Sequence, residues 1–398
     1  MWNYTLKFAY LIQDKPSSCN TNTLRLLMSM LCICCLLLVD TTSLRASELP
    51  PFKARDGRTH PVVAVIADNR FTELSDYVIP YSILKQANLG EVYALGMQEG
   101  SIQMFPALHI RAQFSAAQFD QMHPTGADYV IVPAVHHSDD PNLIAWIQTQ
   151  AKKGATIVGI CDGVWVLAHA GLLESKKAVG HWYSFDDLKK QFPNTQFIKD
   201  KRYLADEKIV TSTGVSASIP VSLALVEAMV GKPKTQALAN SLGIPNWDAQ
   251  HRSADFKLSA THMWTASINW LRFWSHDQFV MPIFKGIDEL SLALLADAYS
   301  RTYRSTVFSM SKEAITSLRG LQIEPDHMYS TKNASILSMP ADLAAGESLD
   351  WVLKQIAKRY DERTASFVAL QMEYPYRSGA TITLSDRSHS VHSTNSNK

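Results

Sequence analysis

The chain has 398 residues, of which 46% are apolar and 19% charged, with a formal net charge of +1. That length suffices for two domains or for one with a long extension, and the composition is that of a globular protein with a sizeable core. A charge so nearly balanced, without a long basic run, argues against nucleic-acid binding, which needs a surface shaped for phosphates.

Residues 1–48 stand apart in composition. Arg25 precedes the uncharged run Leu26–Val39, shorter than the roughly 20 apolar residues of a membrane span and suited to the hydrophobic region of a signal peptide. The expectation is export to the periplasm, or membrane anchoring through residues 26–39, with Ala46 as a small residue for cleavage. If this segment is instead an upstream extension of the reading frame, the protein is cytoplasmic. Cys32, Cys34 and Cys35 lie inside the run and lack zinc-site spacing. Cys161 is then the single thiol of the mature chain, and no internal disulfide can form.

From His60 to about Gly231, apolar strands alternate with helices. VVAVIA (Val62–Ala67) reads as a buried strand, followed by a helix from near Glu73. EVYALGM (Glu91–Met97), ALHIRAQF (Ala107–Phe114) and DYVIVPA (Asp128–Ala134) follow as strands, and PNLIAWIQTQAKKG as a helix ending at Gly154. Continuous Val/Ile runs separated by helices predict a mostly parallel sheet covered on both faces. The next strand, ATIVGI (Ala155–Ile160), runs into Cys161, Asp162-Gly163 and the helical VWVLAHAGLL. Strand, tight turn and helix in that order form a nucleophile elbow. A thiol exposed there, at a helix N-terminus, is expected to favour the thiolate. The plainer reading of a single cysteine is a small buried hydrophobe.

A Trp-rich connector is expected over residues 246–278. Trp264, Trp270 and Trp274 read as a packing seam between domains, since Trp270 and Trp274 share a helix face. Residues 279–376 read as an abbreviated second copy of the first half. KGIDELSLALLADAYSRTYRSTVFSMS repeats the texture of RFTELSDYVIPYSILKQANLGEVYALG, placing Glu289-Leu290-Ser291 on Glu73-Leu74-Ser75. Leu292 falls on Asp76 and no cysteine recurs, so the copy cannot repeat the first half's chemistry. Residues 377–398, rich in Ser, Thr and His, are expected to be a disordered tail.

The stretch GICDGVWVLAHAGLLESKKAVGHW (Gly159–Trp182) resembles the cysteine elbow of the DJ-1/PfpI family, part of the class I glutamine amidotransferase-like superfamily. Within it the likeness is to the branch of isonitrile hydratases and of the sensor domains of AraC-type regulators. The resemblance covers roughly His60–Gly231, within a domain expected over residues 60–245. It implies a doubly wound, mostly parallel flavodoxin-like α/β sandwich with a cysteine nucleophile elbow, here followed by the degenerate α/β half-repeat. It also implies an acid set against the cysteine, and SDYVIP puts that acid at Asp76, with Glu73 as the alternative. A protonated Asp76 carboxyl would donate to the sulfur and hold it; a helix-start cap is the plainer reading. His181 matches the family's T-H-W and is a candidate base, or a structural histidine.

Departures from the family limit the chemistry. Asp162 replaces the histidine that follows the cysteine in PfpI-like proteases, so a Cys–His protease is not expected. The His-x-Glu pair of a complete glutamine amidotransferase is missing from the closing region, and Ile219-Pro220 stands where isonitrile hydratases and the sensor domains usually have an acidic residue. Ala134, Val135, His136 and His137 replace a Gly-Gly that supports an oxyanion hole. Asp162, Gly163, Ala134, Val135 and His136 remain as oxyanion or pocket-lining positions. Cys161, Asp76 and one histidine are zinc-ligand types, but no close spacing supports a metal site, and no cofactor is expected.

The function expected is a reactive cysteine, Cys161 supported by Asp76, acting on a small electrophile by hydratase, hydrolase or glyoxalase-like chemistry. The alternatives are a non-catalytic ligand-sensing module or a redox sensor through Cys161 oxidation. The expected partners are a small molecule and a second subunit, the latter as a homodimer or as an intramolecular pseudo-dimer formed with residues 279–376.

Overall fold

Six consecutive apolar residues, Val62–Ala67, make the first strand, β1, and their side chains divide by the two-residue period of a strand. Val63, Val65 and Ala67 enter one hydrophobic core; Val62, Ala64 and Ile66 enter another on the opposite face. A strand apolar on both faces must be central, with helices covering both sides. The computed structural model, which describes residues 49–326 and 334–376, has this arrangement.

After β1 come helix α1 (Leu74–Ala87), strands β2 (Glu91–Gly96), β3 (Tyr129–Val132) and β4 (Thr156–Gly159), helix α2 (Gly163–His169), strand β5 (Ile209–Ser212) and helix α3 (Ser218–Val230). These strands run parallel in the order β2-β1-β3-β4-β5. Phe114–Ser115 extends the sheet beyond β2, and Tyr203–Asp206 pairs antiparallel beyond β5. This is the flavodoxin-like, doubly wound α/β sandwich expected, and its ligand crevice lies outside the carboxyl ends of the strands. Cys161 follows β4 at that end.

The stretch Ala107–Phe114, expected as one strand, is split. His109–Arg111 forms a hairpin with Ser101–Phe105, whereas Phe114–Ser115 joins the main sheet. The chain crosses between sheets here, and the Gln113 N–H donates to the Ala94 carbonyl at 2.8 Å to anchor the crossing.

The C-terminal half contains α4 (Ala260–Leu271), β6 (Asp277–Pro282), α5 (Glu289–Ser300), β7 (Ser305–Met310), α6 (Ser348–Arg359) and α7 (Glu362–Gln371). Strands β6 and β7 pair parallel, as β1 and β2 do. Helix α1 is buried from Leu74 through Leu84, because α3 packs on one side of it and α5 on another. Its polar residues are therefore buried too and find partners on α5: Ser75 Oγ donates to Asp297 Oδ2 at 2.6 Å, and Ser82 Oγ to Glu289 Oε1 at 3.0 Å. A second junction pairs His109–Arg111 antiparallel with Gln322–Glu324, with Ile110 opposite Ile323.

The tryptophan seam is overturned. Trp264, Trp270 and Trp274 are 64%, 62% and 74% exposed. Helix α4 buries Thr265 and Asn269 instead, and Asn269 Nδ2 donates to the Thr302 carbonyl at 3.0 Å and to Thr364 Oγ1 at 3.1 Å. Hydrogen bonding, rather than aromatic packing, docks this helix. Among the described residues no helix is long and apolar enough to cross a membrane. The expected leader (1–48), with its run 26–39, and the expected tail (377–398) lie outside the described residues.

Candidate functional site

Cys161 sits between β4 and α2 with φ +53°, a left-handed conformation rare for a residue with a side chain. The turn is closed by the Gly163 N–H, which donates to the Ile160 carbonyl at 2.7 Å. Gly163 is required for a second reason: a Cβ there would lie 2.1 Å from the Val132 carbonyl oxygen at the end of β3. The elbow is thus pressed against the neighbouring strand. The Cys161 N–H donates to Ser212 Oγ, at the end of β5, at 3.4 Å.

The side chain is not exposed as expected; Cys161 is only 8% accessible. Burial pushes its thiol well above the usual range, and the charges of Asp76, Asp162, Glu73 and Glu373 push the same way. The expected thiolate is therefore disfavoured at rest. Helix α2, of 7 residues, offers only a short dipole against that loss of hydration and those carboxylates.

Asp76, on α1, is fully buried. Its Oδ2 accepts from the Ala134 N–H and its Oδ1 from Ser218 Oγ, each at 3.4 Å. Burial raises its pKa well above the ordinary carboxyl value, and the Ala134 bond and the Arg301 charge only partly offset this. A protonated Asp76 is what the resemblance implies, but its described hydrogen bonds run to Ala134 and Ser218.

Glu73, which precedes α1, is also buried and also raised, chiefly by burial against the attraction of Arg301. Arg301 bonds Glu73 through Nη2 and reaches Asp297 Oδ1 through Nε at 2.6 Å. Burial works against the arginine's charge, but Asp297 and Glu73 outweigh it and raise its pKa. One cation from the C-terminal half thus sits among the carboxylates beneath the cysteine.

The loop after β3 does not present open oxyanion donors. The Ala134 N–H is bonded to Asp76, the Ala134 carbonyl accepts from the Glu73 N–H at 2.8 Å, and Val135 bridges Thr72. The His136 N–H donates to the Phe71 carbonyl at 3.1 Å, and its exposed ring packs on Phe71 and Phe105. These residues line up against Phe71–Glu73, which consumes their backbone groups. His137 turns to Asp68, 3.2 Å away. Asp162 caps α2 without a side-chain bond, and its Oδ1 is buried with no hydrogen-bond partner.

His181 is buried, and its Nε2 makes no hydrogen bond; Glu373 Oε2 lies 3.9 Å from it. Glu373, His251, Asp297 and Arg301 were not singled out from the sequence. All lie beyond the elbow domain, and the only local signal was the i,i+4 spacing of Asp297 and Arg301. Among the described residues no group of three or more His, Cys, Asp or Glu side chains is placed to hold a metal ion.

The DJ-1/PfpI family matches residues 61–228. The chain is 34% identical over 86 residues to the HTH-type transcriptional regulator CdhR of Pseudomonas aeruginosa, covering 22% of this chain and 25% of the regulator. It is 32% identical over 99 residues to an isonitrile hydratase of Pseudomonas putida, covering 25% of this chain and 42% of the hydratase. The chain therefore spans less than half the length of either relative. The crystal structure of Drosophila melanogaster DJ-1beta aligns with a TM-score of 0.41 at 22% identity, covering 46% of this chain and 98% of that one. Residues 61–228 of this chain are thus similar to the DJ-1/PfpI family, with partial similarity to an isonitrile hydratase and to HTH-type regulators.

Proposed function

We propose that Cys161 is a reactive cysteine that adds to a small electrophilic molecule, in chemistry of the hydratase, hydrolase or glyoxalase-like kind. The observation that carries this reading is the left-handed backbone of Cys161, held by Gly163 against β3 at the carboxyl end of the sheet. A conformation of that cost, at the position where such sheets bind ligands, supports a functional role. The sulfur attacks carbon, its proton leaves to a base, and water later releases the product and restores the thiol. Asp76, kept protonated by burial, serves as a proton donor to the atom that gains charge. The test is incubation of the full chain with an isonitrile and with an α-oxoaldehyde, followed by product analysis and mass spectrometry of the Cys161 peptide. Turnover lost in Cys161→Ser supports the reading; no adduct and no product in the intact protein overturns it.

One observation favours a second reading, ligand sensing without turnover. The Ala134 N–H, which would hold a developing oxyanion, is bonded to Asp76. Saturable binding of a small molecule that survives Cys161→Ser, without product, would establish that reading instead.

We further propose that the C-terminal half takes the place of a second subunit. In a two-fold interface the same patch faces itself. The α1–α5 contact and the antiparallel pairing of Ile110 with Ile323 supply the intramolecular counterpart of such a patch.

A further inference from the structure

Helix α4 is amphipathic in the inverted sense. Its start is well defined by a capping box: Ser259 Oγ accepts from the His262 N–H at 3.2 Å, and the Ser259 N–H donates to His262 Nδ1 at 3.4 Å. Residues three or four apart share a helix face. The inward face of α4 carries Thr265 and Asn269, and polar contacts hold it to the protein. Besides the two bonds of Asn269, His262 Nε2 lies 3.3 Å from Ser366 Oγ on α7, and His276 Nε2 lies 2.8 Å from the Asn269 carbonyl.

The outward face carries the apolar residues. Met263 and Trp270 are seven residues apart, as are Trp264 and Leu271, so each pair recurs after two turns on the side away from Asn269. The turn after the helix continues them with Phe273 and Trp274, whose rings meet edge to face at 5.2 Å. Phe273 is 73% exposed and Leu271 50%. Of the thirteen large apolar side chains exposed among the described residues, seven lie between Leu258 and Trp274. Such a concentration marks an interaction surface, whereas single exposed apolar residues are ordinary. From Phe256 to His276 there is no acidic residue, and Lys257 and Arg272, both exposed, bring positive charge to the same stretch.

We propose that the outer face of α4, with the turn that follows it, is a membrane-binding surface that enters the headgroup–acyl boundary of a bilayer containing anionic phospholipid. Hydrogen bonds hold the polar side of the helix to the protein, so its apolar side gains only from an apolar medium outside. Side chains this exposed project from the surface instead of lining a groove, which suits entry into a fluid layer better than the seating of a rigid partner. Indole rings settle at that boundary, with the ring in the apolar layer and the N–H toward the headgroups. Lys257 and Arg272 lay their stems along the same layer and place their charges at anionic phosphates. The sequence points the same way, since residues 26–39 form the uncharged run expected to address the chain to a membrane. The proposal is independent of the chemistry of Cys161.

The experiment mixes the full chain with vesicles of phosphatidylcholine, with and without phosphatidylglycerol, that carry a phospholipid with a photoreactive acyl chain. Irradiation is followed by mass spectrometry of the labelled peptides. Label is expected on residues 260–275, and more of it where phosphatidylglycerol is present. Trp270→Ser, Phe273→Ser and Trp274→Ser together should cut the label on that segment by about tenfold or more. All three side chains are exposed, so the triple variant should keep the wild-type unfolding midpoint, and its loss of label then reports the surface and not the fold. Lys257→Gln with Arg272→Gln should remove the preference for phosphatidylglycerol and leave labelling by phosphatidylcholine vesicles unchanged. Label confined to residues 26–39, or label on residues 260–275 that the triple substitution leaves intact, would overturn the proposal. A wild-type dimer formed without lipid and dissociated by the triple substitution would also overturn it, and would assign the face to a second copy of the chain.

Discussion

Ser75 and Asp297 lie 222 residues apart in the chain and share a hydrogen bond of 2.6 Å between α1 and α5. Both are buried, so the bond forms where water cannot replace it. Ser75→Ala should cost about 1.5–3 kcal/mol, the usual worth of a hydrogen bond to a charged group, read as a lower urea midpoint with an unchanged slope.

Arg301 answers two buried carboxyl groups at once, Glu73 and Asp297. Arg301→Met removes the cation and leaves the acids, and should destabilise the protein by about 3–5 kcal/mol in chemical denaturation. Its charge also attracts that of the Cys161 thiolate, so the variant should alkylate more slowly wherever it remains folded.

Asp76 sets a pH dependence whose sign follows from the direction of its shift. Burial raises its folded pKa, so above the unfolded value of about 4 the folded state holds the proton longer than the unfolded state does. Its contribution to stability is therefore present at low pH and lost as pH rises through the folded value. Asp76→Asn should flatten the fall of the melting temperature between acid and alkaline buffer. Because the Asp76 charge raises the thiol, the same variant should also alkylate faster than wild type at alkaline pH. Slower alkylation would instead mean that a hydrogen bond from Asp76 supports the sulfur.

Gly163→Ala places a methyl group 2.1 Å from the Val132 carbonyl oxygen, which is backbone and cannot swing away. The elbow must then lift from β3, at a cost of about 1–3 kcal/mol or more by the measure of overpacked cores. Loss of Cys161 reactivity should exceed what the fall in the unfolding midpoint explains.

If the C-terminal half takes the place of a second subunit, as proposed, α1 is covered by α5 and is not free to pair with another copy. Sedimentation equilibrium should find a monomer, and a dimer that dissociates on substitution at α1 would refute the intramolecular pairing.

Much of the fold was legible because its signals are local. The unbroken apolar runs of β1, β3 and β4 mark parallel strands without knowledge of their neighbours, and Gly163 after Cys161 marks a tight turn. The Trp264–Trp274 segment was misjudged for the converse reason. Three tryptophans suggest burial, yet the residues that turn inward on α4 are Thr265 and Asn269, and Asn269 finds two hydrogen bonds there.

By itself the sequence determined the strand–helix alternation and the elbow at Cys161, since apolar periodicity and turn residues act over a few positions; Asp76 was marked only by the family resemblance, and its burial only by the fold. The tertiary structure alone decided the charge around the thiol. Arg301 and Glu373 reach the site from segments more than a hundred residues further along, and their effect depends on burial, which strengthens every charge–charge interaction and is set only when distant segments close over one another.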